Sequence, residues 1–384
     1  MLVFLNEEIT IPQQNVIAFE HGKEKDLANS VTVKDVAREA NVSVGTVSRV
    51  FNNHRNVTQE VRLRVLKVAS SMGYFGPIGK EMDSAASNRN SNRELKEIGF
   101  LAYFNSDITT LAMNPFWSHI LHGVESEARK FNMKVSYRAI RELCQTPERL
   151  LTTIYEMKLG GILLVGPTKP DAIRLVQSTK LPLVLVDNYV PGLSVDAVLA
   201  DNFEGARTAV DYLISEGHHQ IAFIGGPTLD GPRPINKIYT IERRAAGYRT
   251  ALLDAGLPVN YDLYGAGELS IDGGYATCKD LIERKVQFSA LFCANDATAI
   301  GAMKALHEKG YRIPEDVSVV GFDDIAMVEH LTPALTTVRI NKEAMGYTAV
   351  KQLLSRSTDL DAASVTILLE VELIKRDSVI FHKA

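Results

Sequence analysis

Downstream of residue 97 the chain alternates between two patterns of apolar positions. Short uninterrupted runs read as strands covered on both faces, and segments with apolar residues every three to four positions read as amphipathic helices. A first set is strand Ile98–Phe104, helix Pro115–Phe131, strand Lys134–Tyr137, helix Pro147–Met157, strand Gly161–Val165, helix Asp171–Gln177 and strand Leu183–Val186. A second set is helix Phe203–Glu216, strand Ile221–Ile224, helix Arg243–Ala255, helix Gly273–Arg284, strand Leu291–Cys293, helix Ala297–Lys309 and strand Val317–Val320. This alternation predicts parallel sheets with helices on both faces. Two sets predict two Rossmann-like subdomains facing across a cleft, with ligands bound beyond the carboxyl ends of the strands.

Upstream, residues 31–74 carry only helical periodicity. Thr32 is placed to cap a helix with Asp35 three residues on, and Val36, Ala37 and Ala40 form its apolar face. Asn41 falls where a left-handed residue is needed, Val42 fills the corner, and Ser43 caps a second helix. Val47, Val50 and Phe51 of that helix face inward, while Val44, Gly45, Thr46, Ser48 and Arg49 face outward or sideways. Thr58 caps a third helix with Val61, Val65, Leu66, Val68 and Ala69 as its buried stripe. This is a helix-turn-helix, whose second helix would lie in a major groove.

An ordinary helical hairpin is the competing reading, and charge decides against it. Residues 31–75 hold seven Lys/Arg against three acids, inside a chain whose net charge is −4. A basic head on an acidic body suits a phosphate backbone. The candidate DNA contacts are Thr32, Lys34, Ser43, Val44, Gly45, Thr46, Ser48, Arg49, Asn52 and Asn56.

The run from Val31 to Tyr74, with Val-Ser-Val-Gly-Thr-Val-Ser-Arg-Val-Phe-Asn and Met-Gly-Tyr, closely resembles the DNA-binding head of the LacI/GalR family of bacterial repressors. The resemblance extends over the body and implies a periplasmic-binding-protein-like effector domain. It also implies that Thr336–Leu354 crosses back to the first subdomain before Val365–Ile374 returns. The expected domains are a helix-turn-helix at 31–76, a linker at 77–97 and an effector domain at 98–384. Within that domain the first subdomain is placed at about 98–197 and 336–364, and the second at about 198–335 and 365–384.

Two segments depart from the family pattern. Its hinge carries Pro-Asn-x-x-Ala-Arg-x-Leu, with a Leu wedge for the minor groove. Here Tyr74 is followed by Phe-Gly-Pro-Ile-Gly-Lys-Glu-Met-Asp; Asp83 falls about where the wedge belongs, and Met82 is a weak substitute. Residues 1–30 carry five acids and two lysines just ahead of the basic head. They read as a poorly ordered extension or an upstream start assignment, with a regulatory arm less favoured.

The 384 residues, 46% of them hydrophobic, suffice for two or three domains with substantial cores. Three widely spaced cysteines imply no disulfide framework and suit a reducing compartment. No stretch has the form of a signal peptide or a membrane span, so a soluble, cytoplasmic protein is expected.

Polar residues cluster after the predicted strands. Asp187, Arg244, Asn295 and Asp323, with the aromatics Phe116 and Trp117, form the candidate effector site. Acceptors, a bidentate donor and aromatic faces together suit a small polyhydroxylated ligand. For Arg244, Asn295 and Asp323 the resemblance favours ligand contact over a structural role. Asp187 and Phe116 are balanced between the two, and Asp296 and Asp324 read as helix caps. Leu269 stands where relatives carry a stacking aromatic. His218-His219 reads as a turn, with no further ligands for a metal. No nucleophile elbow, P-loop or metal-spaced Cys/His set occurs, so neither catalysis nor a cofactor is expected.

The expected protein is therefore a homodimeric repressor. It would bind a pseudo-palindromic double-stranded operator and be released by a small effector, a sugar in the first reading. The linker and the Asn-Pro-Phe-Trp stretch are similar to the β-galactoside-responsive branch of the family. A purine or other non-sugar effector is the alternative within the fold. A sugar-binding enzyme or transport module is the alternative outside it, and the basic head and missing signal peptide count against a transport module.

Overall fold

The computed structural model describes residues 31–51, 56–72, 74, 95–103, 114–226 and 238–382. The extension at 1–30, most of the linker with Met82 and Asp83, and Asn52 lie outside the described residues.

The head is three helices, α1 (Val33–Glu39), α2 (Val44–Phe51) and α3 (Gln59–Ser71). Thr32 caps α1 in a reciprocal capping box with Asp35, and Asn41 takes φ 52°, as the turn between α1 and α2 requires. Ser43 Oγ accepts from Thr46 N at 3.0 Å to start α2, and Thr58 Oγ1 accepts from Val61 N at 3.4 Å at the head of α3. Val36, Val47 and Val65 meet at the centre of the apolar cluster. Arg62, one of the seven cations of the head, is buried, and its Nη1 donates to Val50 O at 3.3 Å.

Among the described residues the body holds two six-stranded sheets. The first runs β11-β5-β4-β3-β1-β2, built from β1 (Glu97–Ala102), β2 (Lys134–Ala139), β3 (Gly161–Val165), β4 (Leu183–Val186), β5 (Asp196–Ala200) and β11 (Thr366–Leu369). The second runs β12-β10-β9-β8-β6-β7, built from β6 (Ile221–Gly225), β7 (Tyr264–Ala266), β8 (Ala290–Cys293), β9 (Ser318–Asp323), β10 (Thr336–Ile340) and β12 (Val371–Ile374). Every described pairing is parallel except β10 with β12. The connecting helices are α4 (Pro115–Lys130), α5 (Pro147–Met157), α6 (Pro170–Gln177), α7 (Asn202–Ser215), α8 (Tyr239–Asp254), α9 (Ile271–Glu283), α10 (Asp296–Glu308) and α11 (Lys342–Thr358). Among the described residues no helix is long and apolar enough to cross a membrane.

The crossings between subdomains fall at other places than the sequence reading put them. Thr336–Ile340 was expected in the first subdomain but is β10, paired with β9 in the second sheet. Thr366–Leu369, expected in the second, is β11 of the first, and the chain returns only at β12. The cause is visible in the polar groups. Thr337 Oγ1 donates to Asp296 Oδ1 at 2.6 Å and Thr336 N to Ser378 Oγ at 2.8 Å, so two buried threonines find these partners in the second subdomain. Asp196 fixes β11: it accepts from Arg356 Nη2 at 2.6 Å, Arg356 Nε at 2.8 Å and Val365 N at 2.9 Å. The chain therefore crosses at α11, which leaves the second sheet and packs on α4 of the first subdomain. Gly123 and Gly346 make that approach close, since a Cβ on either would strike the other helix's backbone.

His218 is a buried structural residue in its turn. Its Nδ1 lies 2.9 Å from Ser289 Oγ and its Nε2 3.1 Å from Ile380 O, and burial pulls its pKa down to about 4.

Candidate DNA-reading surface and effector cleft

The amphipathic pattern of α2 turns Val47 and Val50 into the head core and leaves Ser43, Val44, Gly45, Ser48 and Arg49 exposed. Lys34 and Asn56 are also exposed. Not all of the candidate contacts keep free polar groups. Thr32 Oγ1 donates to Asp35 Oδ2 at 2.6 Å, and Ser43 Oγ and Thr46 Oγ1 lie 2.9 Å apart within the cap. Arg49 is the long donor of this face, with a guanidinium suited to the O6 and N7 of guanine.

The cleft draws on both subdomains. Asp187 follows β4 of the first sheet in left-handed backbone, φ 52°. Arg244 lies in α8 and Asp323 ends β9, both in the second subdomain. Helix α8 begins at Tyr239, so Arg244 sits more than a turn inside the helix rather than opening it. Each of its three guanidinium nitrogens has a partner. Nε donates to Asn202 Oδ1 at 2.7 Å, Nη1 donates to Ala294 O, Nη2 lies 3.1 Å from Asp323 Oδ1, and the plane covers the Phe322 ring at 3.8 Å.

Arg244 is paired with Asp323, and its charge also reaches the buried Asp187 carboxyl. Burial raises the pKa of Asp187 to about 7; Arg244 pulls it down and Asp323 pushes it up. Burial likewise raises Asp323, against the pull of Arg244 and Lys342. Among the described residues Asp187 Oδ1 is buried with no hydrogen-bond partner. A buried acceptor without a partner is a standing invitation to a donor from outside.

The remaining candidates divide. Trp117 is half-buried at the start of α4, edge-on to Phe116 with centroids 4.7 Å apart, and Asn114 caps that helix through both residues' amides. Phe116 is a core residue, 8% exposed. Asn295 is the cap of α10: Oδ1 accepts from Thr298 N at 2.9 Å and Nδ2 donates to Leu269 O at 3.3 Å. Its amide keeps one N–H beyond those partners.

Neither neighbouring aspartate is the cap that the sequence suggested. Asp296 is fully buried one residue inside α10, where Oδ2 accepts from Ile325 N at 2.9 Å, and burial lifts its pKa to about 8. Asp324 accepts from Arg339 Nε and Arg376 Nη2, each at 2.7 Å. Three further residues at the cleft were not foreseen. Asn202 holds Arg244, and the Tyr189 and Tyr239 rings meet at 4.9 Å, one from each subdomain. Tyr239 fell in a stretch read as loop, because α8 starts four residues earlier than its apolar periodicity indicates.

Comparison with known proteins matches residues 32–76 to "Bacterial regulatory proteins, lacI family" and residues 210–379 to "Periplasmic binding protein-like domain". The HTH-type transcriptional repressor CytR of Escherichia coli K12 is 30% identical over 358 residues, covering 93% of this chain and 98% of that protein. A solved transcriptional regulator CelR–cellobiose complex superposes with TM-score 0.68 at 30% identity, over 91% of this chain and 99% of that one. The lac repressor dimer bound to operator and an anti-inducer superposes with TM-score 0.63 at 26% identity, over 91% and 99%.

Proposed function

This chain belongs to the LacI family of bacterial regulatory proteins, and from that premise we propose that its cleft takes a small neutral polyhydroxylated effector, a sugar, whose binding releases the heads from DNA. The chain is a DNA-binding transcriptional repressor, a regulator rather than an enzyme. Its head would read a pseudo-palindromic operator as one half of a homodimer, as the lac repressor dimer does its operator.

One observation carries the effector reading. Asp323 pairs with Arg244 in the second subdomain, while Asp187 of the first lies within reach of both charges and keeps a buried oxygen without a partner among the described residues. Hydroxyl groups satisfy such acceptors, and an anionic ligand would be buried beside two carboxylates. The solved CelR relative holds cellobiose, a neutral sugar. Because the contacts come from both subdomains, a bound ligand favours the closed arrangement by its differential affinity for that state. The Tyr189–Tyr239 pair supports a second reading, since two aromatic faces at a cleft also suit a planar base.

Trp117, the chain's one tryptophan, stands at the cleft end of α4 and serves as reporter. Its emission should respond on titration with D-ribose, D-galactose, lactose or cellobiose, and stay unchanged with D-galacturonate, adenine or guanine. Lactose tests the β-galactoside expectation. Response to the bases alone moves the reading to a purine effector, and response to galacturonate alone contradicts a neutral ligand.

A further inference from the structure

The turn that carries Asp323 is held by a buried amine. Asp323 and Asp324 both have positive φ, 109° and 49°, a conformation that side chains other than glycine resist. Lys342 is 8% exposed, and its ammonium donates to Asp323 O, to Asp324 O at 3.1 Å and to Ile340 O at 3.3 Å. All three donors of the ammonium are thereby engaged, each with a carbonyl at the ligand end of β9 or β10. Asp296 secures the next residue by accepting from Ile325 N at 2.9 Å.

Lys342 is also the first residue of α11, the helix that leaves the second sheet for the first subdomain. Beyond it, Glu343 O lies against Gly123 of α4, and Leu353 packs over Gly161 of β3. One side chain therefore ties the ligand turn of the second subdomain to a helix seated on the first.

We propose that Lys342 is a positioning residue of the effector site: it locks the left-handed Asp323–Asp324 turn, aims the Asp323 carboxylate at the cleft, and transmits the occupancy of that carboxylate to the crossover between subdomains. Without its ammonium, two carbonyls of strained residues lose a charged donor, and the turn relaxes toward an ordinary backbone conformation. Asp323 then no longer stands beside Arg244 in the geometry that receives a hydroxyl. The ligand half of this inference rests on the neutral-sugar reading above, and the backbone half does not.

The test compares full-length wild type, Lys342→Met and Lys342→Arg. Methionine keeps the apolar stem and removes the donors, whereas arginine keeps a cation with donors. Amide hydrogen exchange on the free proteins should show the Ile325 amide and its neighbours opening about tenfold faster in Lys342→Met, with β6 and β8 unchanged. Titration of Trp117 emission with ribose, galactose, lactose and cellobiose should show about tenfold weaker affinity in Lys342→Met. Lys342→Arg should stay within about threefold of wild type in both readouts. A merely structural lysine would lower the thermal midpoint without this rescue pattern.

Unchanged exchange at Ile325 together with unchanged sugar affinity overturns the proposal. If no sugar of the panel binds wild type, the sugar reading fails alone. The exchange pattern then decides: faster in Met and restored in Arg supports the positioning role, and equal rates in all three overturn it. If Lys342→Met does not fold, Lys342→Gln takes its place, with the same outcomes read against Lys342→Arg.

Discussion

Arg49 and Arg244 both belong to binding sites, but they stand in opposite surroundings. Arg49 is exposed on an eight-residue helix, and the head core beneath it is complete without it. Arg244 is 3% exposed, and its nitrogens meet Asn202, Ala294 and Asp323. The head keeps recognition chemistry apart from folding. In the cleft one set of side chains serves both, because Asp323 is buried against the same cation that lines the site. A change on the head should therefore alter binding alone, and a change in the cleft should alter binding and stability together.

Arg244→Ala should give the largest effect and test the second half of that contrast. Removing the cation leaves Asp323 buried and unpaired, a loss of about 3–5 kcal/mol. The thermal midpoint of the free protein should fall by about 10 °C, and response of Trp117 emission to sugars should vanish. A normal midpoint with lost response would detach binding from folding in the cleft as well, and the comparison would break there.

Arg49→Ala tests the first half. Operator affinity should drop by about 1–3 kcal/mol and the preference at one base pair of each half-site should relax. The melting curve should not move. A lowered midpoint would mean that Arg49 supports the head after all.

Lys34→Ala sharpens the contrast within the head and should have the smallest effect. It is exposed at the start of α1 and suited to a phosphate rather than a base edge. Affinity should weaken alike for operator and random DNA, with the slope of log affinity against log salt reduced by about one. A loss confined to the operator would make it a base-reading residue.

The same contrast explains what could be read in the chain before its fold. The head was legible down to its caps, since Thr32, Asp35, Asn41 and Ser43 act within four residues of their partners. The cleft was legible in outline only. Asp187 and Asp323 follow from the rule of strand ends and Arg244 from the resemblance, but Asn202 and Lys342 reach the site at the starts of crossover helices that local periodicity does not encode. The exchange of roles between Asn295 and Asp296 came from a single residue of uncertainty in the start of α10, which turns a cap into a buried carboxylate. The strand β10 was misplaced because the crossing was taken from the resemblance as one segment, Thr336–Leu354, whereas the partners of Thr336 and Thr337 lie in the second subdomain.

Occupation of the cleft should release the heads from DNA, and Asp323→Ala separates the two events. The operator is first selected from genomic fragments with the purified wild-type protein, and binding is then titrated with and without the sugar that moves Trp117 emission. Wild type should bind operator and let go as sugar is added. Asp323→Ala should bind with wild-type affinity and hold on, since the head is untouched and a site that has lost its acceptor leaves a ligand hydroxyl buried without a partner. Release of Asp323→Ala at the wild-type sugar concentration would show that this carboxylate takes no part in effector binding.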